Sequence, residues 1–216
     1  MTTRGKPWAG RVIVLASGKG GSGKSTLAAS MAAELLAQGE KVALVDADPQ
    51  QAGGLRQWWE AGEALRAAQL TADPTERAAT VARELARDAV VLVDTAGSLT
   101  RTLLALLAAA DLVLIPARPS GLDAARAVEL VRLVEQTTKA PCAVVLNGCT
   151  RSAMPAHIRA ELQGVGAKVL RAEIGQRVAF PTSQLYGSAP AAMGAAARPA
   201  AEEIRALVGE ARRLLR

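Results

Sequence analysis

Short apolar runs alternate with longer, helix-like stretches along the whole chain. The runs are rich in Val, Leu and Ile and almost uninterrupted, which is typical of parallel strands that are covered on both faces. Residues 69–72, with the sequence QLTA, are a candidate for one further short edge strand. The strands predicted from the apolar runs are 11–17, 41–47, 89–95, 111–117, 142–148 and 168–174.

Apolar residues in the intervening stretches recur at the spacing of amphipathic helices. Because strand and helix alternate throughout, without a repeat or a long linker, we expect a single α/β domain over residues 1–216. Its sheet should be doubly wound, mostly parallel and built from about 6–8 strands flanked by helices. The predicted helices are 24–38, 54–68, 75–87, 99–109, 121–137, 155–164 and 199–215.

The composition indicates how the core is built, what kind of partner the protein binds and where it is located. Half of the residues are hydrophobic but only 2% are aromatic, so the core must consist mainly of Ala, Val and Leu. The net charge of +6 and the isoelectric point near 9.9 suggest a polyanionic partner. No apolar stretch reaches the ~20 residues that span a bilayer. The N-terminal residues MTTRGKPWAG also lack the apolar region of a secretory signal, so we expect a soluble, cytoplasmic protein.

Residues 18–26, GKGGSGKST, follow a predicted strand and open a predicted helix. In this context the pattern G-x-x-x-x-G-K-[ST] is the phosphate-binding loop (P-loop), whose glycines let backbone N–H groups face phosphate oxygens at a helix N-terminus. Lys24 should neutralise the β- and γ-phosphates, and the Ser25 hydroxyl should bind Mg²⁺. The predicted nucleotide-binding residues of the loop are Gly18, Lys19, Gly20, Gly21, Ser22, Gly23, Lys24, Ser25 and Thr26.

Acidic residues follow two other predicted strands, at the edge where open α/β sheets bind ligands. In VVLVDTAG, Asp94 is expected to hold Mg²⁺ as the Walker B carboxylate. Because DTAG also fits D-x-x-G, the Gly97 N–H could reach the γ-phosphate. In VALVDADPQ, Asp46 and Asp48 are candidates to position or deprotonate the attacking water. The alternative is that one of them caps the turn that follows.

These motifs together resemble the ParA/MinD family of deviant Walker A ATPases. The resemblance is carried by KGGSGKST, VDADPQ, VLVDTAG and ADLVLIPARPSGLD, and it continues through VLNG at 145–148 to the last helix. It is closest to the short ParA-type partition ATPases that lack an N-terminal helix-turn-helix. The chain departs from the family at Gly175, where Pro is frequent, and at TAGS, where the switch is often proline-rich.

The resemblance implies an ATP-dependent sandwich dimer that binds DNA non-specifically, is nucleoid-associated and positions a cargo. It also implies a ParB-like or adaptor partner that stimulates ATP hydrolysis. Lys19 matches the signature lysine that reaches the phosphates of the partner subunit, and Lys24 alone can serve its own loop. Asp48 matches the water-activating aspartate, and Asn147 matches an asparagine that contacts adenine.

Several surface features have two explanations each. Arg151, Arg171 and Arg177 are candidates for contacts with DNA phosphates, but a solvated basic face explains the same residues. Trp58 and Trp59 are neighbours on a helix, so one is expected in the core and the other is available to a partner. The apolar stripe of the last helix can pack against the sheet or, as in MinD-like proteins, bind a membrane.

The leading functional hypothesis is therefore a cargo-positioning ATPase that segregates DNA or spaces protein clusters. The alternative is a membrane-cycling regulator of the MinD type, although a membrane partner is not expected. An iron–sulfur ATPase is disfavoured, because Cys142 and Cys149 flank one strand rather than lying near the Walker B segment. Two cysteines also form no disulfide framework.

Overall fold

The computed structural model describes residues 8–48 and 54–216. Residues 1–7, which include most of the N-terminal segment examined above, and Pro49 and Gln50 of the VDADPQ motif lie outside the described residues. The strands are β1 (Val12–Leu15), β2 (Val42–Ala47), β3 (Gln69–Ala72), β4 (Val90–Thr95), β5 (Leu112–Ala117), β6 (Cys142–Cys149) and β7 (Val169–Gly175).

Eight α-helices connect and follow these strands within the described ranges. Two short 3₁₀ turns, Pro190–Ala192 and Ala195–Ala197, precede the last helix. The helices are α1 (Lys24–Ala37), α2 (Leu55–Ala61), α3 (Arg77–Leu85), α4 (Arg101–Ala108), α5 (Gly121–Thr137), α6 (Met154–Gly164), α7 (Ala179–Leu185) and α8 (Arg198–Leu214).

The seven strands form one sheet in the order β3-β2-β4-β1-β5-β6-β7, and all neighbouring pairs are parallel. The predicted parallel α/β sheet is therefore confirmed, and QLTA does form the edge strand β3. The chain moves from β1 towards β2 on one side and later crosses to β5 on the other. Ligands of open α/β sheets bind at such a switch point, outside the carboxyl ends of the strands.

Both faces of the sheet are buried, as its continuous apolar strands predict. In β1, Ile13 and Leu15 pack towards α1, α2 and α8, whereas Val12 and Val14 pack towards α3, α4, α5 and α6. Burial of each such side chain stabilises the fold by roughly 1.5–3 kcal/mol. The two cores hold the carboxyl ends of the central strands in fixed positions below the loops that follow them.

One predicted helix is much too long, and one helix was missed. The helix predicted over 54–68 ends at Ala61, where Gly62 is extended and lies against the backbone of Gly187. A Cβ atom at Gly62 would lie 2.5 Å from the Tyr186 carbonyl oxygen, so only glycine fits at this position. Helix α7 was not predicted, because seven residues interrupted by Pro181 are too short to show a helical period.

Helix α8 packs against β7 and α1, which confirms the first explanation of its apolar stripe. The buried residues of this helix are Ala200, Ala201, Ile204, Leu207, Val208 and Ala211. In the part of the chain that the structure describes, no helix is long and apolar enough to cross a membrane.

The adjacent tryptophans are both used inside the subunit. Trp58 is buried, and its indole N–H donates to the Ser188 carbonyl oxygen at 2.8 Å. Trp59 is partly buried, donates to the Ala68 carbonyl oxygen at 3.0 Å and is covered by the Arg66 guanidinium, 4.9 Å from the ring centroid. The expectation that one tryptophan is in the core is confirmed, whereas the indole N–H of the second already has a partner within the chain.

Candidate functional site

The P-loop connects the end of β1 to the first residue of α1. Gly21 and Gly23 have φ angles of +74° and +98°, a region that side chains other than glycine rarely adopt. A Cβ atom at Gly23 would also lie 2.0 Å from Nδ2 of Asn147. Glycine is therefore required at these two positions, as the motif predicts.

A serine that the motif does not contain organises the interior of the loop. The Ser17 hydroxyl accepts hydrogen bonds from the Lys24 ammonium at 3.1 Å and from the Ser22 hydroxyl at 2.8 Å. It donates to the Lys19 carbonyl oxygen at 2.8 Å. Ser17, Ser22 and Lys24 are all buried, so this network holds Lys24 inside the loop. Only the position of Ser17 directly before the motif hinted at its role.

Asp94 lies at the end of β4, beside the P-loop, with 1% of its surface exposed. Among the described residues neither of its carboxylate oxygens has a hydrogen-bond partner of normal geometry. Burial raises the pKa of Asp94 to about 7, and the nearby Ser25 hydroxyl and Lys24 ammonium offset this only in part. The Asp94 carboxylate and the Ser25 hydroxyl are oxygen ligands of the kind that Mg²⁺ prefers. They therefore fit a bound Mg²⁺ ion.

Burial acts in the opposite direction on the neighbouring cation. It lowers the pKa of Lys24, while the charges of Asp94 and Asp48 raise it. The ammonium and the carboxylates therefore depend on one another for their charged forms. A phosphate and a metal ion would complete this cluster of charges.

Asp46 and Asp48 differ in their surroundings, although two positions separate them. Asp46 is buried and accepts the backbone N–H groups of Asp48 at 3.2 Å and Arg56 at 3.4 Å. Burial raises the pKa of Asp46, and these two donors oppose the rise. Asp46 thus acts as a cap for the chain that follows, whereas Asp48 lines the nucleotide pocket described below.

The segment after Asp94 lies directly on the P-loop. A Cβ atom at Gly97 would be 2.4 Å from the backbone nitrogen of Gly20 and 2.4 Å from the carbonyl carbon of Lys19. Only glycine permits this contact. The close approach explains why a glycine follows Walker B at this spacing, and it places Gly97 beside the phosphate-binding loop; contact of its N–H with a γ-phosphate stays a prediction.

An open pocket of about 570 Å³ runs from the P-loop to the end of β7 and helix α7. Its volume is in the range that holds a small-molecule ligand. Most of the predicted phosphate-site residues line it, together with residues that were not predicted, notably Arg118 and Phe180. The lining residues are Gly20, Gly21, Gly23, Lys24, Ser25, Thr26, Asp48, Arg118, Asn147, Gly148, Gly175, Gln176, Arg177, Phe180 and Gln184.

Asn147 has a role that its sequence position did not reveal. Its side-chain amide donates to the carbonyl oxygen of Ser22 at 2.7 Å, and the two residues are 125 positions apart. It therefore braces the P-loop from β6. The side chain remains on the wall of the pocket, where a contact with adenine stays a prediction.

Lys19 already has a partner within the chain. Its ammonium forms an ion pair of 2.6 Å with Asp123, a buried residue in the first turn of α5. Lys19 is also absent from the lining of the 570 Å³ pocket, which contains Lys24. The two lysines of the loop thus have different surroundings: Lys24 lines the nucleotide pocket, and Lys19 pairs with Asp123 outside it.

The structure separates the three candidate DNA-contacting arginines. Arg151 and Arg177 line a cleft of about 390 Å³ beyond the end of β6, and Arg171 is exposed elsewhere on β7. Arg177 forms a 2.5 Å ion pair with Glu203, which raises the pKa of Arg177. Its charge is therefore already partly neutralised, whereas Arg151 and Arg171 remain on the surface.

The two cysteines remain protonated at neutral pH. Burial raises the pKa of both Cys142 and Cys149 to about 12. Within the described residues, no group of His, Cys, Asp and Glu side chains is arranged to hold a metal ion by itself.

The family model described as the CobQ/CobB/MinD/ParA nucleotide binding domain matches residues 13–191. The matched region starts in β1 and includes the P-loop, Asp94 and helix α7. The chain belongs to this family. The ParA/MinD resemblance inferred from the motifs is thereby confirmed.

Curated relatives in this family extend over most of the chain. The maintenance of carboxysome distribution protein A (McdA) of Halothiobacillus neapolitanus is 31% identical over 207 residues, covering 92% of this chain and 94% of the relative. The protein ParA of Rhizobium radiobacter is 33% identical over 186 residues, covering 82% and 83%.

Solved structures show the same fold at lower identity. An ATP complex of a Cyanothece McdA variant has a TM-score of 0.75 and 20% identity, covering 93% of this chain and 95% of that chain. MinD of Pyrococcus horikoshii, complexed with Mg-ADP, has a TM-score of 0.75 and 19% identity, with the same coverage.

Proposed function

We propose that this family member is an Mg²⁺-dependent ATPase that forms ATP-dependent homodimers, binds DNA without sequence preference and positions a cargo. The observation that carries the proposal is the division between the two lysines of the P-loop. Lys24 lines the subunit's own nucleotide pocket, and Lys19 does not. A second lysine at the start of the loop is useful when a second copy brings its nucleotide to this face.

Different residues at the carboxyl edge of the sheet would bind the phosphates, hold Mg²⁺ and activate the attacking water. Lys24 and the backbone N–H groups of the loop bind the phosphates, and Ser25 and Asp94 would hold Mg²⁺, directly or through water. The metal ion, when bound, neutralises charge on the phosphate oxygens. Asp48, on the pocket wall, would orient the attacking water and accept its proton.

Dimerisation would require Lys19 to exchange one carboxylate for a nucleotide phosphate. In the single subunit, its ammonium is held by Asp123. Two exposed leucines lie close in sequence to the residues that touch Lys19: Leu99, 67% exposed, follows Gly97, and Leu122, 63% exposed, precedes Asp123. Exposed leucines close in sequence to the residues that contact Lys19 support a second copy as the occupant of this face.

The cargo is proposed from the relatives. One curated relative is named for the distribution of carboxysomes and another is a ParA protein. We propose that a ParB-like or adaptor protein links this ATPase to its cargo and accelerates hydrolysis. Affinity capture from native lysate with the Asp48→Ala protein, in which ATP binding should outlast turnover, would identify that partner.

Lysine substitutions test the proposed mechanism. Lys24→Ala should lose nucleotide affinity, since it removes the cation inside the pocket. Lys19→Ala should bind ATP as a monomer, fail to dimerise and lose turnover by roughly 10³-fold or more. Analytical ultracentrifugation with a non-hydrolysable ATP analogue and a phosphate-release assay would measure both effects.

Lys139→Ala is the matched control, because Lys139 is exposed before β6, at the opposite edge of the sheet. It should dimerise and hydrolyse ATP like the unmodified protein. A Lys19→Ala protein that forms the ATP-dependent dimer and hydrolyses normally would exclude the proposed role of Lys19.

A further inference from the structure

Arg118 lines the nucleotide pocket from the end of β5, a position that no motif of the P-loop assigns. Its backbone is fixed on both sides. Ala117 pairs with Leu146 in the sheet, and the Arg118 carbonyl oxygen accepts the Ser120 N–H at 2.8 Å, just before α5 begins. Pro119 further restricts the backbone of the residue before it. The Cα atom is thus held while the long side chain can move.

The Arg118 guanidinium has no carboxylate or hydrogen-bond partner among residues 8–48 and 54–216. The other cations of the pocket are engaged: Lys24 donates to Ser17, and Arg177 pairs with Glu203. The charge on Lys24 is also balanced in part by Asp94 and Asp48. Arg118 is therefore the cation on this wall whose charge is left for a ligand.

The sheet order indicates which part of a nucleotide Arg118 would meet. Strand β5 is the direct neighbour of β1, from which the P-loop emerges. Phe180 and Gln184, at the far end of the pocket, belong to α7, which follows β7, two strands further along the sheet. Arg118 shares its end of the pocket with the glycines of the phosphate-binding loop, and a guanidinium matches phosphate oxygens in geometry and charge.

We propose that Arg118 binds a phosphate group of the nucleotide held in its own subunit. This inference rests on the proposed function, because it assigns a further residue to the same site. Arg118 adds a second cation to Lys24, from the neighbouring strand β5, and offsets the carboxylates that Mg²⁺ requires nearby.

A series of substitutions at Arg118 tests the charge itself. Titration calorimetry with Mg-ADP, which needs no dimer, would compare Arg118→Lys, Arg118→Gln and Arg118→Glu. Affinity should fall by about tenfold for Arg118→Gln, consistent with the loss of one charge-assisted hydrogen bond. It should fall further for Arg118→Glu and remain close to the original value for Arg118→Lys.

Arg132 provides the matched control, because it is exposed on α5 and does not line the pocket. Arg132→Gln and Arg132→Glu should bind Mg-ADP with unchanged affinity. The inference is wrong if Arg118→Gln binds as tightly as the unmodified protein, or if Arg118→Lys loses as much affinity as Arg118→Gln. Failure of the unmodified protein to bind Mg-ADP would instead contradict the proposed function.

Discussion

Two buried aspartates at adjacent strand ends show how the surroundings of a single residue decide its chemistry. Asp46 accepts two backbone N–H groups and closes the start of the next segment. Asp94 is equally buried but lacks such donors among the described residues, and burial raises its pKa to about 7. An uncompensated carboxylate destabilises the free protein, so its position is explained by a ligand that the protein is built to bind.

We predict that Asp94→Asn changes the pH dependence of stability. The unfolded chain releases this proton near pH 4, whereas the folded protein retains it up to about pH 7. The folded state therefore binds more protons between these values, and raising the pH across this range should destabilise the unmodified protein, by up to about 1.4 kcal/mol per pH unit at this site.

In Asp94→Asn this contribution is absent. Urea unfolding of both proteins, without nucleotide or Mg²⁺, should show the variant gaining relative stability as the pH rises from 5 to 7. Asp46 also has a raised pKa, but it is present in both proteins and cancels in the comparison. If the free energy of unfolding of the two proteins changed with pH in the same way, the raised pKa of Asp94 would be contradicted.

At the scale of elements, α2 and α7 are joined end to end although they are far apart in the chain. Gly62 and Gly187 approach so closely that a Cβ atom at Gly187 would lie 2.0 Å from the Gly62 nitrogen. The Trp58 indole adds a hydrogen bond to the Ser188 carbonyl oxygen. Helix α7 lines the nucleotide pocket and α2 follows the segment after Asp48, so this contact connects two sides of the site.

The glycine contact predicts a large cost for a single methyl group. Gly187→Ala should destabilise the protein by roughly 3 kcal/mol or more, because the added Cβ meets backbone atoms that cannot move aside easily. Gly39→Ala is the control. Gly39 also has a positive φ, of +79°, but a Cβ there meets nothing within 4 Å.

The control should lose about 1 kcal/mol from the backbone conformation alone. Urea midpoints of the two variants would measure the difference. Equal losses would show that the close packing of α2 against α7 adds nothing beyond the strain of a positive φ.

At the scale of the whole molecule, the net charge of +6 is not concentrated in the nucleotide pocket. Residues 142–216 contain ten Lys and Arg side chains and five Glu side chains, which leaves a surplus of +5 in this part of the chain. A dimer would carry twice this charge. If each half contributes two or three phosphate contacts, binding to DNA should weaken steeply with salt.

We predict sequence-independent DNA binding in the presence of ATP, with a slope of log K against log salt of roughly −4 to −5. Fluorescence anisotropy with two unrelated duplexes at several salt concentrations would measure it. Arg151→Glu and Arg171→Glu should weaken both duplexes alike, and Arg177→Glu should act less because Glu203 already neutralises Arg177. Arg87→Glu, at the amino edge of the sheet before β4, is the control.

A flat salt response, or a strong preference for one duplex, would contradict non-specific phosphate binding. Loss of binding in the Arg87→Glu control to the same extent would show that overall charge matters rather than a defined surface.

The sequence by itself determined the features that depend on residues close together in the chain: the strands, the P-loop and the family. Continuous apolar runs predict a parallel sheet because both of its faces must be covered, and the six predicted runs all form strands of the seven-stranded sheet. The P-loop is predictable because its glycines and Lys24 act within one short segment, where φ angles and spacing decide the geometry. The family follows from these motifs, and the family model confirms it.

Tertiary structure alone decided the relations between residues that are distant in the chain. Asn147 braces the carbonyl oxygen of Ser22, Asp123 holds Lys19, and Arg118 reaches the pocket from β5. No periodicity or motif records such pairs, because they depend on the order in which the strands lie side by side. Helix α2 also ends at such a contact: Gly62, which follows it, is extended and lies against the backbone of Gly187, far along the chain.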